Sequence, residues 1–126
     1  MLKIDMHSHI IPKHLPKWTE KFGYGDFIYL EPNEDTTADM MQGNKFFRKI
    51  KENCWDEDVR IKEYEEFNTQ VQVVCTIPVM FGYHAKPEHC MEMSQYLNDH
   101  IADLVVRYPK NYIGLATIPM QDADLA

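Results

Sequence analysis

The stretch Lys3-Ile4-Asp5-Met6-His7-Ser8-His9-Ile10 decides how the rest of the chain is interpreted. Apolar and polar residues alternate along it, which predicts a β-strand with two distinct faces. One face carries the apolar residues and Ser8, and the other carries Asp5, His7 and His9. The two imidazoles therefore leave the same face about 7 Å apart, because the rise per strand residue is about 3.3 Å.

Two histidines placed in this way can converge on one metal ion. Neutral imidazole nitrogens bind zinc at about 2.0–2.1 Å, and Asp5 is a candidate ligand or hydrogen-bond acceptor beside them. The alternative is that both histidines are polar residues that face solvent at a strand end. Position favours the metal, because α/β folds place their chemistry at the carboxyl ends of strands. We therefore predict that His7 and His9 are metal ligands.

Composition and charge exclude several classes of protein. The chain has 126 residues, of which 44% are hydrophobic and 26% charged, as expected for one globular domain. Its net charge is −7, and Lys and Arg form no basic stripe, so nucleic acid is not an expected partner. The sequence contains no apolar run of about 18 residues and no secretory signal, so we expect neither a membrane span nor export.

The three cysteines indicate a reducing compartment. Cys54, Cys75 and Cys90 are an odd number at wide spacing, and none forms a CxxC motif. This pattern is typical of free thiols in a cytoplasmic protein, which is the localisation we expect. Cys75 lies in an apolar strand and is expected to be part of the core.

A long excursion separates the first strand from the rest of the chain. Pro12 and Pro16 end regular structure, and residues 13–55 are far too many for an ordinary connection in an α/β unit. Strand composition returns at 27–30 and 45–50, with a polar loop expected at 31–39. We predict a small, mostly β insertion that stands over the end of the first strand as a lid.

The remaining sequence alternates helices and strands. The pattern predicts helices at 57–68, capped by Asp56, and at 87–108, and strands at 71–77 and 112–118, with Asp122 as the cap of a further helix. Such alternation is typical of a parallel α/β sheet with right-handed crossovers. Three strands alone would leave open sheet edges. We therefore predict that residues 1–126 form the N-terminal part of a (β/α)8 TIM barrel, which needs about 250 residues, with 13–55 as an insertion.

The opening strand, followed by Ile11-Pro12, resembles the first strand of the amidohydrolase superfamily, in which a His-x-His pair binds an active-site metal. The resemblance extends over the whole chain, in register, to a zinc-dependent decarboxylase branch of that superfamily. It rests on Phe22-Gly23-Tyr24-Gly25, Phe47-Arg48, Glu52-Asn53-Cys54-Trp55-Asp56, Pro78-Val79-Met80-Phe81, Ala85-Lys86-Pro87-Glu88 and Gly114-Leu115-Ala116-Thr117-Ile118-Pro119-Met120-Gln121.

The resemblance implies a role for particular residues. His7 and His9 would be two zinc ligands, while the general base and the remaining ligands of such enzymes are expected downstream of residue 126. Arg48, carried by the insertion, would bind a carboxylate of a small dicarboxylate substrate, and Met80 and Phe81 would line the pocket. Without the resemblance, Arg48 is a solvated surface residue, and the other two are ordinary loop packing. The resemblance further implies a homodimer as the full-length protein.

Three functions remain open from the sequence. The first is a zinc-dependent decarboxylase of this kind, of which the chain is an N-terminal segment. The second is another metal-dependent hydrolase or decarboxylase of the amidohydrolase type. The third is a non-catalytic truncated chain or partner subunit, because two histidines do not complete a catalytic zinc site with three protein ligands. We therefore expect the isolated chain to be inactive.

Overall fold

The computed structural model describes all 126 residues as two three-stranded sheets and three α-helices. Short 3-10 turns at Glu52–Cys54 and Pro78–Met80 complete the regular structure. In chain order the strands and α-helices are β1 Ile4–His9, α1 Trp18–Phe22, β2 Ile28–Pro32, β3 Thr37–Gln42, β4 Lys45–Lys51, α2 Glu57–Glu66, β5 Val71–Cys75, α3 Pro87–Arg107 and β6 Tyr112–Gly114.

The first sheet is parallel, with the strand order β1-β5-β6. Parallel neighbours cannot be joined by a tight turn, and each connection accordingly contains a helix, α2 before β5 and α3 before β6. Ile10, Val74 and Tyr112 from the sheet pack with Ile101 and Leu104 of α3. Because strand side chains alternate between faces, the neighbours of these residues lie on the face turned away from the helices.

A bulge interrupts β1 and changes the face of one predicted residue. Asp5 pairs with Gln72 and Ser8 pairs with Val74, so β1 advances by three residues while β5 advances by two. Because of this extra residue, the side chains of Asp5 and Ser8 both lie on the side of β1 that faces α2. There Asp5 Oδ2 accepts a 2.6 Å hydrogen bond from Tyr64, and Ser8 Oγ accepts one of 3.3 Å from Arg60. The prediction that Asp5 shares the histidine face is therefore wrong, because one inserted residue reverses the alternation.

Both long predicted helices form. Asp56 caps α2, and its carboxylate accepts a 3.0 Å hydrogen bond from the backbone N–H of Val59. Pro87 is the first residue of α3, where its missing N–H has no helical partner to lose. The observed ends, Glu66 and Arg107, fall within the last turn of the predicted ranges. One face of α3 is buried and consists of Cys90, Met93, Ser94, Leu97, Ile101 and Leu104.

The insertion is an antiparallel sheet with the strand order β2-β3-β4. Gly43 makes the turn between β3 and β4 at a φ of +57°, and a Cβ there would collide with the Asp26 carboxylate. Strands were predicted at 27–30 and 45–50, and both form, but no strand was predicted where β3 lies. The polar loop expected at 31–39 ends early, because β3 begins at Thr37. Its alternate residues Ala38 and Met40 are buried in the core.

Three expected elements at the strand and chain ends differ from the structure. β5 ends at Cys75 and β6 at Gly114, before the predicted limits of 77 and 118. The N–H of Leu115 donates the last backbone hydrogen bond from this segment to β5. Asp122 accepts hydrogen bonds from the N–H groups of Asp124 and Leu125, which closes a turn in place of the expected helix.

Two hydrophobic cores hold the chain together. The smaller core lies between the parallel sheet and the helices and contains five buried residues. The larger core joins the insertion to the second 3-10 turn and the first half of α3, and it contains Ile11, Trp18, Phe27, Ile28, Ala38, Met40, Ile50, Trp55, Met80, Ala85, Cys90, Met93 and Leu97. None of the helices is long and apolar enough to span a bilayer.

Candidate metal and carboxylate site

The two predicted metal ligands lie side by side at the end of β1. The rings of His7 and His9 meet edge to face, with their centroids 4.7 Å apart. His7 is exposed and His9 is half-buried. Both imidazoles can therefore reach one ion, as the two-residue spacing predicted, although their role as ligands remains a prediction.

Cys75 accompanies this pair on the neighbouring strand. The parallel register places it beside His9, with Sγ 3.3 Å from His9 Nδ1. The side chain is half-buried, and this burial raises the pKa of the Cys75 thiol. The expectation that Cys75 is plain core is therefore wrong, because the end of β5 opens toward the histidines.

Asp5 takes no part in the histidine cluster. The pKa of its carboxyl lies below the ordinary value, because the Tyr64 hydroxyl and the backbone N–H of His7 both donate hydrogen bonds to it. Burial and the same contact raise the pKa of Tyr64. Asp5 is therefore an ionised acceptor that joins β1 to α2, and it is not directed at a metal.

A cavity of about 150 Å³ opens beside His9, between the parallel sheet and the insertion. Most of its wall is apolar, and Arg48 brings the one permanent charge to it. A pocket with apolar walls and few polar groups is typical of small-molecule sites. The lining residues are His9, Ile11, Met40, Phe47, Arg48, Ile50, Cys54, Ile77 and Val79.

A bulge in β4 places Arg48 at this cavity. Met40 of β3 pairs with Arg48 and Met41 pairs with Phe46, so Phe47 has no partner across the ladder. The bulge allows the side chains of Phe47 and Arg48 to line the cavity together, although successive strand residues normally face opposite ways. The guanidinium lies over the Phe47 ring, 5.0 Å from its centroid.

Met80 and Phe81, which were predicted to line the pocket, are not among the lining residues. Met80 is only 1% exposed and packs inside the larger core. Phe81 packs against Tyr83, with the ring centroids 5.4 Å apart. Ile77 and Val79 from the same segment form the cavity wall instead, because the 3-10 turn at Pro78–Met80 directs Met80 inward.

The donor set suits zinc in kind but not in number. Imidazole is a preferred zinc ligand, and His7 and His9 are the two side chains on this face that can supply it. No group of three or more His, Cys, Asp and Glu side chains in this chain converges on one point. Residues 1–126 can therefore supply two of the three protein ligands that a catalytic zinc site needs.

Sequence reasoning missed Cys54, Ile77, Val79 and the contact between Cys75 and His9. The register that joins β1 to β5 decides which residue stands beside His9, and this register depends on the bulge in β1. Cys54 enters the cavity through the 3-10 turn that follows β4. No local pattern signals either feature, because both depend on contacts between segments far apart in the chain.

No protein-family model matches the chain. It is 52% identical over 120 residues to 2-amino-3-carboxymuconate-6-semialdehyde decarboxylase from Dictyostelium discoideum, a match that covers 95% of this chain and 33% of the relative. The decarboxylase of the same name from Caenorhabditis elegans is 39% identical over 124 residues, which is 98% of this chain and 31% of the relative. The chain thus spans about one third of the length of these curated relatives.

A solved structure supports the fold. A Staphylococcus aureus protein assigned as an amidohydrolase matches 98% of this chain and 30% of its own with a TM-score of 0.61. Sequence identity is 17%, so this similarity bears on the fold alone. It confirms the predicted fold class, an α/β segment of a barrel with a parallel sheet. The chain is therefore similar, over nearly its whole length, to about one third of 2-amino-3-carboxymuconate-6-semialdehyde decarboxylase.

Proposed function

We propose that residues 1–126 supply two zinc ligands and a substrate-binding arginine to a zinc-dependent decarboxylase. Its substrate is 2-amino-3-carboxymuconate 6-semialdehyde, its product is 2-aminomuconate 6-semialdehyde, and the reaction belongs to tryptophan catabolism through kynurenine. The named relatives support this reaction, since the decarboxylases of that name match nearly all of this chain. The remaining ligands and the general base would come from outside these residues.

One observation carries the proposal: His9 and Arg48 line the same cavity. The two residues come from different sheets and are separated by most of the insertion. A metal beside the imidazole and a guanidinium across a small apolar space are what a reaction on a bound carboxylate requires. The arginine fork matches a carboxylate with two parallel hydrogen bonds, and Arg48 is exposed, so a substrate carboxylate can reach it.

Each residue has a defined task in this proposal. His7 and His9 hold the zinc ion, which, when bound, supplies Lewis acidity and a nucleophile at neutral pH. Arg48 binds a substrate carboxylate and fixes the orientation of the conjugated chain. Phe47 lies against the guanidinium and limits its movement, so that less rotational freedom is lost on binding.

The isolated 126-residue chain should be inactive. A catalytic zinc site uses three protein ligands and one open position, and this chain brings only two histidines together. We expect no turnover of the semialdehyde by the purified chain with added zinc. Turnover that a chelator abolishes and zinc restores would contradict this expectation.

Substitution of Arg48 tests the carboxylate assignment in a longer active protein that contains these residues. We expect Arg48→Ala to raise KM roughly 10- to 100-fold with zinc content unchanged, because a hydrogen bond to a charged group contributes about 1.5–3 kcal/mol. Arg48→Lys keeps the charge without the fork and should fall between the parent and Arg48→Ala. Steady-state kinetics and metal analysis of the same preparations measure both quantities.

Lys49→Ala is the matched control, since Lys49 is the next residue of β4, is exposed and does not line the cavity. It should leave KM unchanged. His9→Ala should show the opposite pattern to Arg48→Ala, with zinc lost. Equal loss of zinc in Arg48→Ala and His9→Ala would contradict separate roles for the two residues.

A further inference from the structure

The contact between Cys75 and His9 has a direction that the surrounding atoms define. Cys75 Sγ lies 3.3 Å from His9 Nδ1 and 3.7 Å from the carbonyl oxygen of Ser8. Nδ1 can accept or donate according to the tautomer of the ring, whereas a carbonyl oxygen can only accept. Both contacts of the sulfur are hydrogen bonds only when the thiol hydrogen is directed to Ser8 and Nδ1 carries the ring hydrogen, so that the sulfur accepts from Nδ1.

This arrangement selects one of the two neutral forms of the imidazole. With its hydrogen on Nδ1, His9 keeps a free lone pair on Nε2, the nitrogen farther from the backbone. Histidines that bind metals usually donate their other ring N–H to an acceptor, which fixes both the tautomer and the ring orientation. For free histidine in water the hydrogen prefers Nε2, so the protein must supply a reason for the other form.

We propose that Cys75 is a positioning residue that holds His9 in the Nδ1–H form and leaves Nε2 available to a metal. The parallel pairing of β1 with β5 places the sulfur there, because His9 and Cys75 are partners in the register. The sulfur acts through His9 and is not itself a ligand, since its contact is with the ring nitrogen and no three-donor group forms. The metal part of this inference rests on the proposed function, whereas the tautomer does not.

The tautomer can be measured directly in the metal-free full chain. Nitrogen-15 NMR of the histidine rings at alkaline pH distinguishes Nδ1–H from Nε2–H. We expect Nδ1–H for His9 in the parent, a shift toward Nε2–H in Cys75→Val, and retention of Nδ1–H in Cys75→Ser, whose hydroxyl can both donate and accept. If Cys75→Val fails to fold, Cys75→Ala gives the same comparison. Cys90→Ser is the control for loss of a thiol away from His9, and it should match the parent.

Metal titration gives the second readout. We expect Cys75→Val to bind zinc roughly 10- to 100-fold more weakly than the parent, the usual effect of losing such a partner, with Cys75→Ser close to the parent. Cobalt substituted into the parent should show no thiolate charge-transfer band, since the sulfur is not a ligand.

An Nε2–H form in the parent, an unchanged tautomer in a folded Cys75→Val, or a Cys75→Ser variant that behaves like Cys75→Val would overturn the inference. A thiolate band that disappears in Cys75→Ser would also overturn it by making Cys75 a ligand. Absence of zinc from a longer active protein that contains these residues, together with the expected tautomer pattern, would refute the proposed metal site and leave the assignment of Cys75 supported.

Discussion

The insertion and the parallel sheet differ in how completely each is packed. Thirteen buried residues form the core beneath the insertion sheet, whereas five form the core between the parallel sheet and the helices. Large apolar side chains are exposed on and around the parallel sheet, among them Met6 at 69%, Val106 at 78%, Ile113 at 49% and Leu115 at 51%. In this chain the insertion therefore contributes to a larger buried core than the parallel sheet does.

This difference divides the candidate site into two parts. Arg48 lies on β4, an edge strand of the sheet that covers the larger core, and the histidines lie on β1, an edge strand of the parallel sheet. Regions of a protein can open with different free energies when their packing differs. We infer that the β4 backbone that carries Arg48 opens less readily than the β1 backbone that carries the histidines. Helix α3 passes through both cores, so substitutions along it can compare the two regions directly.

The largest expected effect comes from truncating one leucine in each core. Leu97 is 1% exposed in the larger core, and Leu104 is 0% exposed in the smaller one. Both are leucines in α3, seven residues apart on its buried face. Leu→Ala in a core costs about 2–5 kcal/mol, with the cost increasing as the surroundings relax less. We therefore expect Leu97→Ala near the upper end of this range and Leu104→Ala near the lower end, measured by denaturant unfolding.

Val106→Ala is the control for the helix itself, because Val106 is 78% exposed. Its effect should stay within about 0.5 kcal/mol. Equal costs for the two leucine variants, or a larger cost at Leu104, would show that the smaller core is packed as tightly as the larger one. The comparison between the two regions would then fail.

Arg60 connects the two regions, and its loss should be the next largest effect. The guanidinium is buried and donates to the carbonyl of Asn53 at 2.8 Å, to Gln72 Oε1 at 2.8 and 3.2 Å, and to Ser8 Oγ. It thus joins the end of the insertion to β1 and β5. Arg60→Met leaves the buried Gln72 oxygen without a donor, and we expect a loss of about 1–3 kcal/mol in unfolding free energy.

A double variant shows how much of that loss comes from the orphaned amide. Gln72→Met removes the acceptor, so Arg60→Met combined with Gln72→Met should cost less than the sum of the two single variants. Strict additivity would mean that Arg60 acts through the other contacts only. Circular dichroism of each variant checks that the comparison is made between folded proteins.

The sequence predicted those features that depend on local periodicity. The helix that begins at Pro87 shows the i, i+3, i+4 spacing of one apolar face and a proline at its first turn, and the helix that begins at Glu57 has a clear cap in Asp56. The His7 and His9 pair follows from period two alone, and the structure indeed brings the rings together. The fold class followed from the alternation of helices and strands.

What the sequence could not predict depends on tertiary pairing. The bulges in β1 and β4 move Asp5 away from the histidines and bring Phe47 and Arg48 to one cavity, and no pattern in the residues marks either position. The orientation of Met80 depends on a 3-10 turn whose residues have strand and loop composition. β3 was missed because its alternation is short and begins within polar residues.

The smallest expected effect is a pH dependence that arises where the two cores meet along α3. His100 lies between Leu97 and Leu104, its Nε2 is buried without a hydrogen-bond partner, and burial lowers the pKa of its imidazole below the ordinary 6.5. Glu57 and Asp103 oppose this shift and Arg107 adds to it, but burial is the dominant cause. As pH falls through about 6.5, the unfolded chain therefore binds a proton at this position and the folded chain does not, so stability falls.

We expect His100→Gln to reduce the loss of unfolding free energy between neutral pH and pH 5, in denaturant titrations at several pH values. The exposed His14→Gln should keep the slope of the parent, and an unchanged slope in His100→Gln would mean that the junction of the two cores is open enough to solvate a charged ring.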